Sequence, residues 1–296
     1  MLLYTYWARE VLQYAAPDGR EYHLIAYAGS DDSPAAARQA AQKQLQQRRQ
    51  RLEQGATLSR YPSGTAPLRE PLVQRIDDGL GGPLLGAVTR NRYGSRVLNA
   101  ARVMFLDVDR ADLWRRLPRP ASMSPVLRFF RRLFGIAAPP APPALLPDEY
   151  LLERLRAWLL QHPDWSFRLY RTRAGFRLLV THAPLEPNGS LAQAVFRFLP
   201  VDPTYARLCQ NQDCYRARLD PKPWRIGLAR PAHPFPFDTP AQAAEQARWE
   251  ETLAARRQQY SVCELVGSYG SGYVCAEARP ILTLHDEACL GGKPLA

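Results

Sequence analysis

The apolar positions change period several times along the chain. "LLYTYW" (2–7) and "EYHLIAYA" (21–28) are rich in aromatic and apolar residues, with "APDG" (16–19) as turn chemistry between them, which predicts a β-hairpin. "SDDSPAAARQAAQKQLQQRRQRLEQG" (30–55) opens on Ser and Asp, carries Pro near its first turn, continues in strong helix formers and closes on Gly. It reads as a helix with a solvated Gln/Arg face. Residues 56–100 contain Gly and Pro clusters and read as irregular, with "GLGGPLLG" as a turn: it lacks the Gly-Lys-Ser/Thr ending of a phosphate loop. "ARVMFLDVD" (101–109) reads as a strand that ends in two aspartates.

The second half continues with "DEYLLERLRAWLLQHP" (148–163), an amphipathic helix whose stripe is Leu151, Leu152, Leu155, Trp158 and Leu159. "SFRLYRT" (166–172) and "GFRLLVTH" (175–182) predict an antiparallel hairpin. "SLAQAVFRFL" (190–199) predicts a short helix, "CYRARL" (214–219) and "WRIGLA" (224–229) predict strands, and 239–260 a third long helix. Residues 261–280 predict two strand-like pieces around "GSYGSG". The expected class is α+β, a mixed or antiparallel sheet with flanking helices, because no regular βαβ alternation runs through the chain.

One segment breaks this pattern. Residues 115–147 form a Pro-bounded insertion whose middle, "SPVLRFFRRLFGIA", mixes apolar residues and arginines at helical spacing. It reads as a short surface helix followed by a Pro-rich linker. An interfacial membrane helix, or a segment docking a protein partner, is the alternative.

Charge narrows the range of partners. The 296 residues carry a formal net charge of +11, and all but three of the 39 basic residues are arginine. Such a surface favours nucleic acid or nucleotide phosphates. The charge is concentrated: residues 166–230 hold eleven cations against four anions. Arginine inside strands, as at Arg177, Arg216 and Arg218, is costly unless it meets carboxylates or a bound anion. Trp224 and Tyr215 interleave with these cations and could stack on bases. No apolar run reaches the ~18–20 residues of a membrane span, and the N-terminus does not read as a signal peptide, so a cytoplasmic protein is expected.

Candidate chemistry begins at "FLDVD". On a strand, residues i and i+2 share a face, so Asp107 and Asp109 project together while Val108 turns into packing. Two adjacent carboxylates resist joint ionisation unless a cation lies between them. Oxygen ligands of this kind suit Mg²⁺ or Mn²⁺, and a solvated strand end is the competing reading. Structural zinc is not expected: Cys209-x4-Cys214 is looser than a zinc knuckle, and among His233, Cys263, Cys275, His285 and Cys289 no second close pair exists. His285 and Cys289 would nevertheless share a face if helical. Five thinly spread cysteines are not a disulfide framework, and no nucleophilic Cys or Ser arrangement is present.

Three elements in order, "FLDVD", "YRTRAGFRLLVTH" and "VDPTYARLCQNQDCYRARL", resemble the archaeo-eukaryotic primase superfamily, which includes the primase-polymerases. The resemblance covers about residues 101–230. Asp107 and Asp109 match its first motif, Gly175-Phe176-Arg177 stands at the second, and Val201-Asp202 with Tyr205 looks like the third. Arg177 stands where the family has a phosphate-contacting His, a departure that puts polymerase activity in question; His182 falls on the opposite face. The resemblance implies an RRM-like catalytic core at 101–230, interrupted by the insertion, between an N-terminal portion (1–100) and a C-terminal helix and hairpin (231–296). It implies Asp107, Asp109 and Asp202 as catalytic ligands of Mg²⁺ or Mn²⁺, with Asp220 competing for the third place. Arg173, Arg177, Arg216, Arg218, Lys222 and Arg225 would hold triphosphate or nucleic acid. The reaction implied is attack of a 3′-hydroxyl on an α-phosphate. The alternative is a non-catalytic nucleic-acid-binding accessory protein of replication, a mobile element or defence.

Overall fold

The computed structural model describes residues 1–16, 19–56, 66–78, 82–117, 134 and 145–296. Most of the 115–147 insertion, and with it the surface-helix, membrane-helix and partner-docking readings, lies outside these residues. The N-terminal hairpin pairs β1 (Tyr6–Ala15) with β2 (Glu21–Ser30) antiparallel, from Tyr6↔Ser30 to Ala15↔Glu21. Helix α1 (Pro34–Glu53) starts where Ser33 caps the Ala36 amide at 3.1 Å and Pro34 takes the first turn. Its small stripe, Ala37, Ala41 and Leu45, is buried, and Ala41 and Leu45 join Leu24, Ala26 and Ala28 of β2 in one cluster.

Residues 56–100, read from sequence as irregular, contain three strands: β3 (Leu72–Ile76), β4 (Gly86–Arg90) and β5 (Arg96–Ala100). They escape a periodicity reading because each is five residues long and β4 and β5 are buried almost throughout, so no alternation marks them. A tight turn with Gly94 at φ 80° joins β4 to β5. Strand β9 (Tyr215–Arg218) completes an antiparallel sheet in the order β3-β4-β5-β9. Inside it the Asn99 amide donates to Thr89 Oγ1 at 2.8 Å.

The second sheet has the order β10-β7-β8-β6, from β6 (Phe105–Asp109), β7 (Ser166–Thr172), β8 (Gly175–Val180) and β10 (Cys263–Gly270). All its pairs are antiparallel. Helices α2 (Arg110–Arg116) and α3 (Pro147–Gln161) lie between β6 and β7 in the chain; Leu151, Leu155 and Trp158 of α3 enter the main core. Helices α4 (Ser190–Phe198), α5 (Pro203–Gln212), α6 (Pro240–Arg257) and α7 (Ala278–Cys289) complete the described set. The chain is thus α+β with antiparallel sheets, and none of the described helices is long and apolar enough to cross a membrane. The segments 1–100, 101–230 and 231–296 interleave, since β5 pairs with β9 and β7 with β10.

Two local expectations are corrected. Residues 224–229 are not a strand: Pro223–Ile226 form a 3₁₀ turn, because Pro223 presets its first turn and Gly227 leaves it at φ 68°. "VDPTY" starts a helix, with the Asp202 carboxylate accepting from the Thr204 amide at 2.8 Å and Pro203 opening α5. The closing segment holds one strand, bulged between Leu265 and Gly267, and α7 follows it.

Gly175 sets the spacing of the strand that carries the aspartates. A Cβ there would meet Val108 O at 2.0 Å and the Arg110 amide nitrogen at 2.9 Å, both backbone atoms with no room to yield. Gly175→Ala is therefore expected to lose about 1–3 kcal/mol, read as a lower denaturant midpoint at unchanged m-value.

Candidate active site

A cleft of about 480 Å³ opens where the end of β6 faces β9 and the 3₁₀ turn; Asp107, Asp109, Arg218, Lys222, Arg225 and Tyr93 are among its lining residues. Strand alternation delivers the two aspartates as expected: Val108 is buried, Asp107 half-buried and Asp109 exposed. Asp202 stands beside them, its amide donating to Asp107 O at 3.0 Å, while its carboxylate caps α5 and does not line the cleft. The hydroxyl of Tyr205 lies 3.0 Å from the carbonyls of both Phe105 and Arg216, and so joins β6 to β9.

Both carboxylates are held above the usual range. Burial raises Asp107 against the pull of Arg177 and Arg218, with Asp202 adding to the rise. Burial raises Asp109 as well, and the charges of Asp107 and Asp202 raise it further. The cations opposite are pushed the other way. Burial lowers Arg218, helped by Arg177, and lowers Lys222, helped by Arg218 and Arg225. Arg225 falls through burial and the nearby Arg173. Burial is the larger cause in every case, the like charges add to it, and the carboxylates and cations partly offset one another across the cleft. The side chains of Arg218, Lys222 and Arg225 have no hydrogen-bond or ion-pair partner among the described residues; Lys222 rests 5.8 Å from the Trp224 ring.

The remaining predicted residues are engaged elsewhere. Arg177 pairs in register with Asp107 across β8, is 6 % exposed, and turns inward. Its Nη1 donates to Arg218 O at 3.1 Å and to His285 Nε2 at 3.0 Å. Arg216 sits in the cleft wall with its guanidinium clamped by Glu70 at 2.7 and 2.8 Å. Arg173 donates to Leu295 O, away from the lining. Asp220 is 1 % exposed between Arg96 (3.0 Å) and Arg257 (2.8 Å), which commits it to the fold rather than to a metal. Tyr215 is fully buried and is not a stacking surface.

Other features were missed from the sequence. Tyr93 meets Trp224 edge-on at 5.4 Å, with Arg230 4.8 and 5.0 Å from their rings, making a partly open aromatic platform. Only the Gly-bounded "RYGS" hinted at Tyr93. Glu70, the partner of Arg216, lies 146 residues away and left no local signal.

Among the described residues the group of three metal-ligating side chains whose ligand atoms all lie within 4.8 Å of one another is Cys263, His285 and Cys289; the three aspartates are not drawn together so closely. That still fits Mg²⁺ or Mn²⁺, which take one or two carboxylates and complete their shells with water and substrate phosphates. Compared with family models, curated proteins and solved structures, the chain finds no match in any of the three.

Proposed function

We propose that the cleft binds a nucleoside triphosphate together with Mg²⁺ or Mn²⁺ and that its chemistry is nucleotidyl transfer of the primase-polymerase type. The observation that carries this reading is the meeting, in one cleft, of Asp107 and Asp109 with three cations whose side chains have no hydrogen-bond or ion-pair partner among the described residues. Asp107 and Asp109 would hold the metal, with Asp202 nearby as a third carboxylate. A bound divalent ion supplies charge neutralisation at the transferring phosphate. Arg218, Lys222 and Arg225 neutralise and orient the phosphates, and the Tyr93–Trp224 platform offers a face to a base. The βαββ run from β6 to β8, with the carboxylates on its first strand, supports treating this sheet as the RRM-like core; β10 adds at the β7 edge.

A second reading is a non-catalytic binder of single-stranded nucleic acid. The burial of Arg177 favours it, because the position that resembles the family's phosphate-contacting His borders the cleft with its guanidinium already bonded to Arg218 O and His285 Nε2. Titrating a fluorescent nucleoside triphosphate with and without Mn²⁺ separates the two. Mn²⁺-dependent binding is expected; metal-independent binding of single strands alone would leave the second reading standing. Arg218→Ala is expected to weaken binding in either case and to reduce the salt slope for a single strand by about 0.7. Its thermal midpoint should hold, because Arg218 gives up no ion pair.

A further inference from the structure

We propose that Cys263, His285 and Cys289 form a zinc site, separate in chemistry from the carboxylate cleft and independent of the nucleotide reading. Cys263 begins β10; His285 and Cys289 lie one helical turn apart on α7. All three are at most 1 % exposed, and their ligand atoms lie within 4.8 Å of one another.

The surroundings are those of a metal-binding histidine. His285 Nδ1 lies 2.9 Å from Asp286 Oδ1, which fixes the ring and leaves Nε2 as the ligating nitrogen. Asp286 is itself held: the Tyr170 hydroxyl donates to Oδ1 at 2.7 Å and Arg168 donates to Oδ2 at 2.7 Å. A carboxylate braced by two donors, bracing in turn a buried imidazole next to two sulfurs, is more than core packing requires. Two thiolates and one imidazole are a soft donor set, which selects Zn²⁺ over the Mg²⁺ or Mn²⁺ suited to aspartates. The fourth position is left to water.

Charge is consistent with this. Metal coordination would displace the thiol protons of both cysteines. Two thiolates neutralise Zn²⁺, and Arg177 remains balanced by Asp107. Arg177 Nη1 now touches both His285 Nε2 at 3.0 Å and Cys289 Sγ at 3.9 Å. On loading it gives up Nε2 and keeps its bonds to the Cys289 sulfur and Arg218 O. The site would pin α7 to β10 and fix Arg177 beneath Asp107.

The test is metal analysis of the full chain purified without chelator, then Co²⁺ substitution followed by absorbance. The expected result is zinc at about one per chain, and a cobalt form with thiolate charge-transfer and tetrahedral d–d bands. Cys289→Ser and His285→Ala should lose or alter both; Cys209→Ser, whose thiol lies outside this cluster, should keep them. The Co²⁺ spectrum of the unmutated chain needs no variant to fold. Absence of zinc together with absence of a thiolate–cobalt band would overturn the proposal and leave Arg177 as the only cation of the cluster. Retention of the band in both His285→Ala and Cys289→Ser would overturn it equally.

Discussion

Asp109→Asn is expected to weaken Mn²⁺-dependent nucleotide binding by about 10- to 100-fold while melting with the wild type; Asp107→Ala is expected to lose both binding and stability. The difference follows from position. Asp109 is exposed and opposes Gly175, so its removal takes away a ligand and relieves repulsion on Asp107 without stranding a partner. A substitution of that kind stays within about 0.5 kcal/mol. Asp107 opposes Arg177, which is almost wholly buried. Without Asp107 that guanidinium loses a neighbouring negative charge, so a lower urea midpoint is expected. Isothermal titration with Mn²⁺ and nucleotide, beside urea unfolding, measures both. Unchanged binding in Asp109→Asn would remove the carboxylates from the site.

The same pair sets a pH dependence. Both carboxylates are raised in the folded state, so the fold holds more protons than the unfolded chain. Their contribution therefore falls as pH rises from the ordinary carboxylate value, about 4, through the raised folded value. A bound divalent ion removes this penalty. The Mn²⁺-induced rise in melting temperature should accordingly be largest above that window and fade as the solution is acidified into it.

The sequence disclosed the elements whose signals are local. Ser33 and Pro34 announced α1, the Leu151–Leu155–Trp158 stripe announced α3, and the Gly-containing break at 173–175 announced the β7–β8 turn. Strands β4 and β5 were hidden because burial on both faces erases alternation, β3 is short and mostly exposed, and β9 found its partner β5 more than a hundred residues back. Helix α7 carries a readable stripe, Ala278, Ile281, His285 and Cys289, yet Pro280 and the glycines before it pointed to strand and turn. The site divided along the same line. Period two was enough to place Asp107 and Asp109 on one face. It could not say which arginines would be captured by Glu70 or His285, because those partners arrive through tertiary packing.

Arg177 is where that division has its largest consequence. If its role were to grip phosphate, Arg177→Ala would cost binding and spare the fold. Its position argues the reverse. Nη1 reaches Arg218 O and His285 Nε2, and the guanidinium is the strongest favourable charge acting on Asp107. Alanine would leave a backbone carbonyl and a buried ring nitrogen without their donor and take a favourable charge from Asp107, so a loss of about 1–3 kcal/mol is expected. Lysine keeps the charge but not the planar fork that serves several acceptors, so Arg177→Lys should recover only part of the loss. Urea unfolding of wild type, Arg177→Lys and Arg177→Ala, with nucleotide binding corrected for the folded fraction, decides the matter. A stable Arg177→Ala that fails only in binding would mean that this side chain, which already borders the cleft, turns to the phosphate when it is present, and the resemblance to the family's phosphate contact would then extend to this position.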